Sequence, residues 1–226
     1  MAPGADDPTD PILVVGGLSG IGAGLVAELG DRSVVWSRRT GVDATDEASI
    51  QQAAATFLDE HGAPFGLIHC VGDFSEAPLL QTDSAQYHHL LHNNLTSAYL
   101  VARHVVPAMV ALGRGRVIFF AAAGAGDHTA KIRAPVYFAA KAALLSLARS
   151  LAKEVAASGV TVNVISPGII HHETSHHDSQ ERILPTVPAG RAGSVGDVWG
   201  AVRLLLSPEG GYITGSNLTV DGGLSL

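Results

Sequence analysis

The segment Val15 to Gly22, V-G-G-L-S-G-I-G, follows the apolar run Ile12-Leu13-Val14-Val15 and precedes the helix-like stretch Ala23 to Leu29. A strand, a glycine turn and a helix N-terminus in that order form a phosphate-binding arrangement and open a parallel α/β sheet. Glycine has no Cβ, so the backbone can turn sharply and come close to a pyrophosphate. The free N–H groups and the positive end of the helix then meet the negative charge. This reading assigns Gly16, Leu18, Ser19, Gly20, Ile21 and Gly22 to a dinucleotide.

The rest of the chain alternates short β-branched runs with longer helical patterns, the sequence sign of βαβ units. Strands are predicted at Ser33–Trp36, Phe65–Cys70, Arg116–Phe120, Val160–Ile165 and Asn217–Val220. Helices are predicted over 47–61, about 84–112, about 136–158 and about 195–206. The fold class that follows is α/β: a Rossmann-type doubly wound parallel sheet with helices on both faces. It forms a single dinucleotide-binding domain over 11–226, after a flexible N-terminus over 1–10. A content of 15% charged and 46% hydrophobic residues, with 26 glycines, suits strands covered on both faces. Ligands of such sheets bind at the carboxyl ends of the strands, so residues just past 15, 36, 70, 120 and 165 become candidates.

Other function classes are disfavoured. A net charge of -7 with no basic stripe leaves nothing to replace phosphate counterions, so a nucleic-acid partner is not expected. Cys70 is the single cysteine, which rules out a disulfide framework and fits a reducing cytoplasm. The acidic segment Met1 to Asp10 is unlike a secretory leader, and no apolar run is read as long enough to span a membrane.

Tyr137 and Lys141, in Y-F-A-A-K, lie four residues apart, so a helix would point both from one face. A tyrosine near neutrality needs its pKa lowered by about three units to exchange protons readily, and a nearby ammonium can supply much of that. In isolation the pair reads more readily as an ordinary surface Tyr and Lys. The cofactor can be chosen by charge. About twenty residues past the first glycine, where an acid would bond a ribose 2′-hydroxyl, stand Ser37, Arg38 and Arg39. A guanidinium grips a 2′-phosphate that a carboxylate would repel, which favours NADP(H) over NAD(H).

These motifs together resemble the short-chain dehydrogenase/reductase family over essentially the whole chain. The resemblance is carried by V-G-G-L-S-G-I-G, Asp43, Gly72 after a fourth strand, Asn94-Leu95, Tyr137 with Lys141, N-V-I-S-P-G at 163–168 and Y-I-T-G-S-N-L-T-V-D-G-G at 212–223. It implies hydride transfer between a nicotinamide and a carbonyl or similar group. By the same resemblance Tyr137 gives the proton, Lys141 lowers its pKa and holds the ribose, and Asn94 supports a water relay. Asp43 would meet the adenine, Val71 and Gly72 would line the cofactor, and Pro167, Gly168 and Ile170 would lie along the nicotinamide. The apolar helices near 84–112 and 136–158 imply a homo-oligomer, a tetramer or dimer.

The chain departs from the family pattern at three places. Val15 replaces a Thr, and His69-Cys70-Val71-Gly72 replaces Asn-Asn-Ala-Gly. After the strand Arg116–Phe120, where the family places a serine that bonds the substrate carbonyl, the run is Ala121-Ala122-Ala123-Gly124. Alanine at 122 has no donor for a developing oxyanion, a loss typically of about a hundred- to a thousandfold in rate. Three outcomes stay open. Thr129 or His128 substitutes, the substrate needs little polarisation, or the protein is a cofactor-binding scaffold. Dihydropteridine reductases of this fold look similar in having the Tyr and Lys without the serine, so a conjugated C=N or quinonoid substrate stands beside an ordinary carbonyl.

Histidines form two further groups. His172-Glu173-Thr174-Ser175-His176, flanked by His171 and His177, spells H-E-x-x-H. It follows Pro-Gly and precedes Pro185 and Pro188, so it reads as a substrate-covering loop with His172 in the pocket and no metal. His88, His89 and His92 read as an exposed helix face or subunit contact.

Overall fold

The computed structural model describes residues 10–127, 129–173 and 182–226. Six strands, β1 (Ile12–Val15), β2 (Ser33–Trp36), β3 (Gly66–His69), β4 (Gly115–Phe120), β5 (Val160–Pro167) and β6 (Asn217–Val220), form one sheet. Their order is β2-β1-β3-β4-β5-β6 and every pairing is parallel. The chain steps outward from β1 to β2 and then returns to β3 on the other side of β1. The crevice where those two directions part, at the strands' carboxyl ends, is where an open α/β sheet binds its ligand.

Alternate residues of each strand enter different cores. Leu13, Val15, Leu67, Val117 and Phe119 pack beneath α2 (Glu47–His61), α4 (Ser97–Leu112) and α5 (Pro135–Val155). Ile12, Val14, Ile68, Ile118 and Phe120 pack beneath α1 (Gly20–Leu29) and α6 (Val195–Leu206). Because both faces are covered, β1 reads as an unbroken apolar run and not as an alternating one. Pro135, in the first turn of α5, spends its fixed φ where no N–H is needed. Ser194 and Asp197 close a capping box at the start of α6.

The structure redraws several expectations. The predicted 84–112 helix is α3 (Ser84–Leu91), a π-helical segment His92–Thr96 and α4. The widened turn buries Asn93 and Asn94. Ser84–Leu112 is also long and apolar enough to cross a membrane, contrary to the expectation; α4 nonetheless lays its apolar face on the sheet and α5. The 136–158 helix begins at Pro135 and ends at Val155, followed by a 3-10 turn. Gly72 follows the third strand and not a fourth. Only a short turn separates Ser37 from Val42, whose N–H returns to the Ser37 carbonyl at 2.9 Å, and a parallel strand needs a crossover of about a dozen residues. Asp10 is not part of a loose terminus, because Arg114 Nη2 donates to its Oδ1 at 2.9 Å. Residues 1–9 lie outside the described residues.

Candidate active site

The glycine turn is required by close contact. Gly16 has φ +84°, and a Cβ on Gly22 would lie 2.3 Å from the Gly16 carbonyl oxygen. Ser19 sits at the helix N-cap in extended conformation, and its side chain makes no cap hydrogen bond. The first N–H groups of α1 therefore carry no side-chain cap at this end, and Ser19, Gly20, Ile21 and Gly22 line a cleft of about 1010 Å³. That backbone fits a pyrophosphate.

The same cleft runs on to Tyr137 and Lys141, whose helix is the one that follows β4. Lys141 is 4% exposed and donates from Nζ to the Phe120 carbonyl at 2.8 Å. Its Nζ lies 5.8 Å from the centre of the Tyr137 ring. Phe74 meets that ring edge-on at 5.1 Å and Phe138 does so at 5.3 Å, which fixes its orientation. Burial pushes the Tyr137 phenol up to about 12. Desolvation is the cause of that shift in the protein alone, where the Lys141 ammonium is aimed at a backbone carbonyl. Burial likewise brings Lys141 down to about 8, against the opposing pull of Cys70 and Asp73.

Asn94 is fully buried. Its Nδ2 donates to the Asp73 carbonyl at 2.8 Å and to the Leu90 carbonyl at 2.9 Å, and its Oδ1 has no hydrogen-bond partner. A Cβ at Gly72 would sit 2.7 Å from that Oδ1 and 3.0 Å from Lys141 Nζ, so only glycine leaves these two groups facing one another.

Most of the residues expected at the site meet in this cleft. Arg39, Gly72, Asn94, Ala122, Pro167, Gly168, Ile170 and His172 all line it. Several do not. The Ser37 hydroxyl accepts from Thr40 N–H at 3.2 Å, and Ser37 N–H donates to Thr40 Oγ1 at 2.9 Å, so this serine caps a turn. Arg38 lies beside Asp43 and not on the cleft wall. The Asp43 carboxylate accepts from Thr45 N–H at 2.9 Å and from its hydroxyl at 2.7 Å, bonds that hold it below the usual carboxylate range. Gly16 and Val71 press together beneath the cleft, and Leu18 is exposed. Thr129 is exposed away from the cleft and does not stand in for the missing serine.

His128, His176 and His177 lie outside the described residues, and so does the second half of the H-E-x-x-H spelling. Among the described residues no three His, Cys, Asp or Glu side chains converge as metal ligands would. His88 and His92 stack with ring centres 6.4 Å apart.

The sequence reading did not single out Asp73, Phe74, Ser75 and Gln86, which line the same cleft, nor place His89 there. Asp73 and Phe74 carried a usable signal, since they lie on the loop that leaves the carboxyl end of β3. Gln86 and His89 carried none.

Residues 20–225 match a family profile described as enoyl-(acyl carrier protein) reductase. The chain is a short-chain dehydrogenase/reductase. It is 33% identical over 187 residues to the 3-oxoacyl-[acyl-carrier-protein] reductase FabG of Escherichia coli strain K12, covering 81% of this chain and 75% of that one. It is 33% identical over 235 residues to carbonyl reductase family member 4 of Danio rerio, covering 95% and 97%. A solved short-chain dehydrogenase/reductase from Mycobacterium ulcerans superposes with TM-score 0.86 at 26% identity, covering 96% of this chain and 90% of that one. As a member of this family the protein is an oxidoreductase.

Proposed function

We propose that the protein is an NADP(H)-dependent reductase that transfers hydride to a carbonyl or to a conjugated C=N or quinonoid substrate, with Tyr137 as proton donor. The observation that carries this is the meeting of Tyr137, Lys141, Asn94 and the first turn of α1 in one cleft. The nicotinamide would supply the hydride. This chain's residues would hold the dinucleotide at the glycine turn and at Lys141, Pro167, Gly168 and Ile170. A phenol held up at about 12 is protonated throughout the physiological range, which suits a proton donor in the reductive direction.

Arg39, which faces the cleft, supports the choice of NADP(H) through its charge. Ala121, Ala122 and Ala123 follow β4 and line the cleft without a hydroxyl, which favours substrates whose conjugation already makes them electrophilic. Two exposed apolar side chains on α4, Tyr99 and Leu112, support a homo-oligomer that uses this helix.

The test is oxidation of NADPH and of NADH against simple β-ketoesters, quinones and quinonoid pterins. Turnover with NADPH, fastest on the conjugated acceptors, supports the reading. Equal use of both cofactors overturns the NADP(H) choice, and fast reduction of β-ketoesters alone overturns the conjugated-substrate choice. Dinucleotide binding with no turnover on any acceptor overturns the enzyme reading.

A further inference from the structure

Charge is unevenly placed in the cleft. Among the described residues that line it, Asp73 is the one carboxylate, set against the cations Arg39 and Lys141. Lys141 is 4% exposed and its Nζ donates to the Phe120 carbonyl at 2.8 Å, so its charge is turned into the protein. The Asp73 side chain keeps 44% of its surface open. Its charge acts on Lys141, which puts it at the Tyr137 end of the cleft.

The Asp73 carboxylate meets an imidazole. His89 Nε2, from α3, lies 2.8 Å from Asp73 Oδ2, and the His89 side chain is 55% exposed. A carboxylate offers about four lone-pair sites, of which one ring N–H takes one. An ion pair or hydrogen bond this open to solvent adds little to stability, so a cation that reaches the carboxylate can take the place of the ring. The neighbouring polar side chains carry no charge: Gln86 Nε2, also from α3, donates to the Ser75 hydroxyl. Ala122, Ala123, Phe138 and Ile183 make other parts of the lining apolar. An acceptor lying against those residues would therefore present its reducible bond to Tyr137 and any charged arm to Asp73.

We propose that Asp73 sets the charge preference of the substrate: it selects acceptors that carry a cationic nitrogen group, which displaces His89 from the carboxylate, and it turns anionic acceptors away. No proton or electron changes hands in this contact. The inference rests on the reductase reading above and narrows it, by naming which carbonyl or conjugated acceptors the site takes.

The test is steady-state NADPH oxidation by the full chain with three 1,2-naphthoquinones that carry at C4 the same propyl arm, ended by trimethylammonium, tert-butyl or sulfonate. Wild-type kcat/KM should fall in that order, with the cation ahead of the neutral acceptor by about fivefold. That lead should shrink in about 0.5 M sodium chloride, because the carboxylate is open to solvent. In Asp73→Asn, which keeps an acceptor for His89 and loses the charge, the ratio of cation to neutral should fall to about one. Ratios taken within one enzyme cancel any general loss of activity. In His89→Gln the lead of the cation should persist, since the carboxylate remains. Equal kcat/KM for the cation and the neutral acceptor in wild type, a lead that survives Asp73→Asn, or a lead lost in His89→Gln overturns the role of Asp73 and leaves the reductase reading standing. Absence of turnover by wild type on all three acceptors overturns both.

Discussion

The two ends of the cleft are built by different means. The end proposed for the dinucleotide is made from backbone: a glycine turn, a helix N-terminus and a Pro-Gly bend, whose fit depends on missing Cβ atoms. The end proposed for the substrate is made from side chains delivered by separate elements, with Asp73, Phe74 and Ser75 after β3, Gln86 and His89 on α3, and Ala122 after β4. A backbone site tolerates changes of side-chain chemistry but not of volume. A side-chain site responds in the opposite way, and each end can therefore be perturbed without the other.

The largest gain expected of a substitution tests the chemistry proposed for the Ala122 end. Ala122→Ser restores a donor beside the reacting group, so kcat/KM for simple ketones should rise by about a hundredfold while quinones change little. An equal gain on both acceptors would mean that polarisation is not what Ala122 withholds.

Volume at the two ends is the next comparison. Gly22→Ala brings a Cβ to 2.3 Å from a backbone oxygen that cannot yield, so dinucleotide affinity should fall at least about tenfold, or 1.4 kcal/mol. Gly72→Ala instead crowds Asn94 Oδ1 at 2.7 Å and Lys141 Nζ at 3.0 Å, so kcat should fall several times more than affinity does. Calorimetric titration with NADPH beside steady-state kinetics separates the two. Parallel losses in both variants would erase the distinction between the ends.

A smaller effect comes from pH. Lys141 sits at about 8 because burial disfavours its ammonium, so reductive kcat should hold below that pH and decline above it as the proton is lost. Tyr137, at about 12, contributes nothing to that limb.

The smallest effect is on stability. His69 is fully buried with Nε2 unpartnered, and burial holds it at about 3 against its ordinary 6.5. Between those values the unfolded chain binds the extra proton, so stability present above 6.5 is lost as pH falls toward 3. His69→Leu should keep on the order of 1–2 kcal/mol more of its neutral stability at about pH 5.5, measured by denaturant titration.

The same division explains what could be read from the chain. β1, the glycine turn and α1 were legible because strand, turn and helix are adjacent in sequence and their backbone demands fix the residue types. Tyr137 and Lys141 were legible because one helix face sets their spacing. The π-helical turn at His92–Thr96 was not, since its residues have helical spacing and only tertiary packing buries Asn93 and Asn94. The Asp73–His89 pair joins a loop to a helix across an intervening turn, and no local period encodes that contact. The turn at Ser37 was hidden for a similar reason: its hydroxyl accepts from the N–H of Thr40, three residues away. The phenol's upward shift was hidden because the Y-F-A-A-K spacing says where Lys141 attaches and not that its Nζ turns to the Phe120 carbonyl.

The central claim is that Tyr137 performs proton chemistry at a site whose dinucleotide end stands independently of it. Measuring NADPH binding and NADPH oxidation side by side in Tyr137→Phe tests this most directly. The account predicts unchanged binding with turnover reduced by about a thousandfold or more; wild-type turnover in that variant would contradict it.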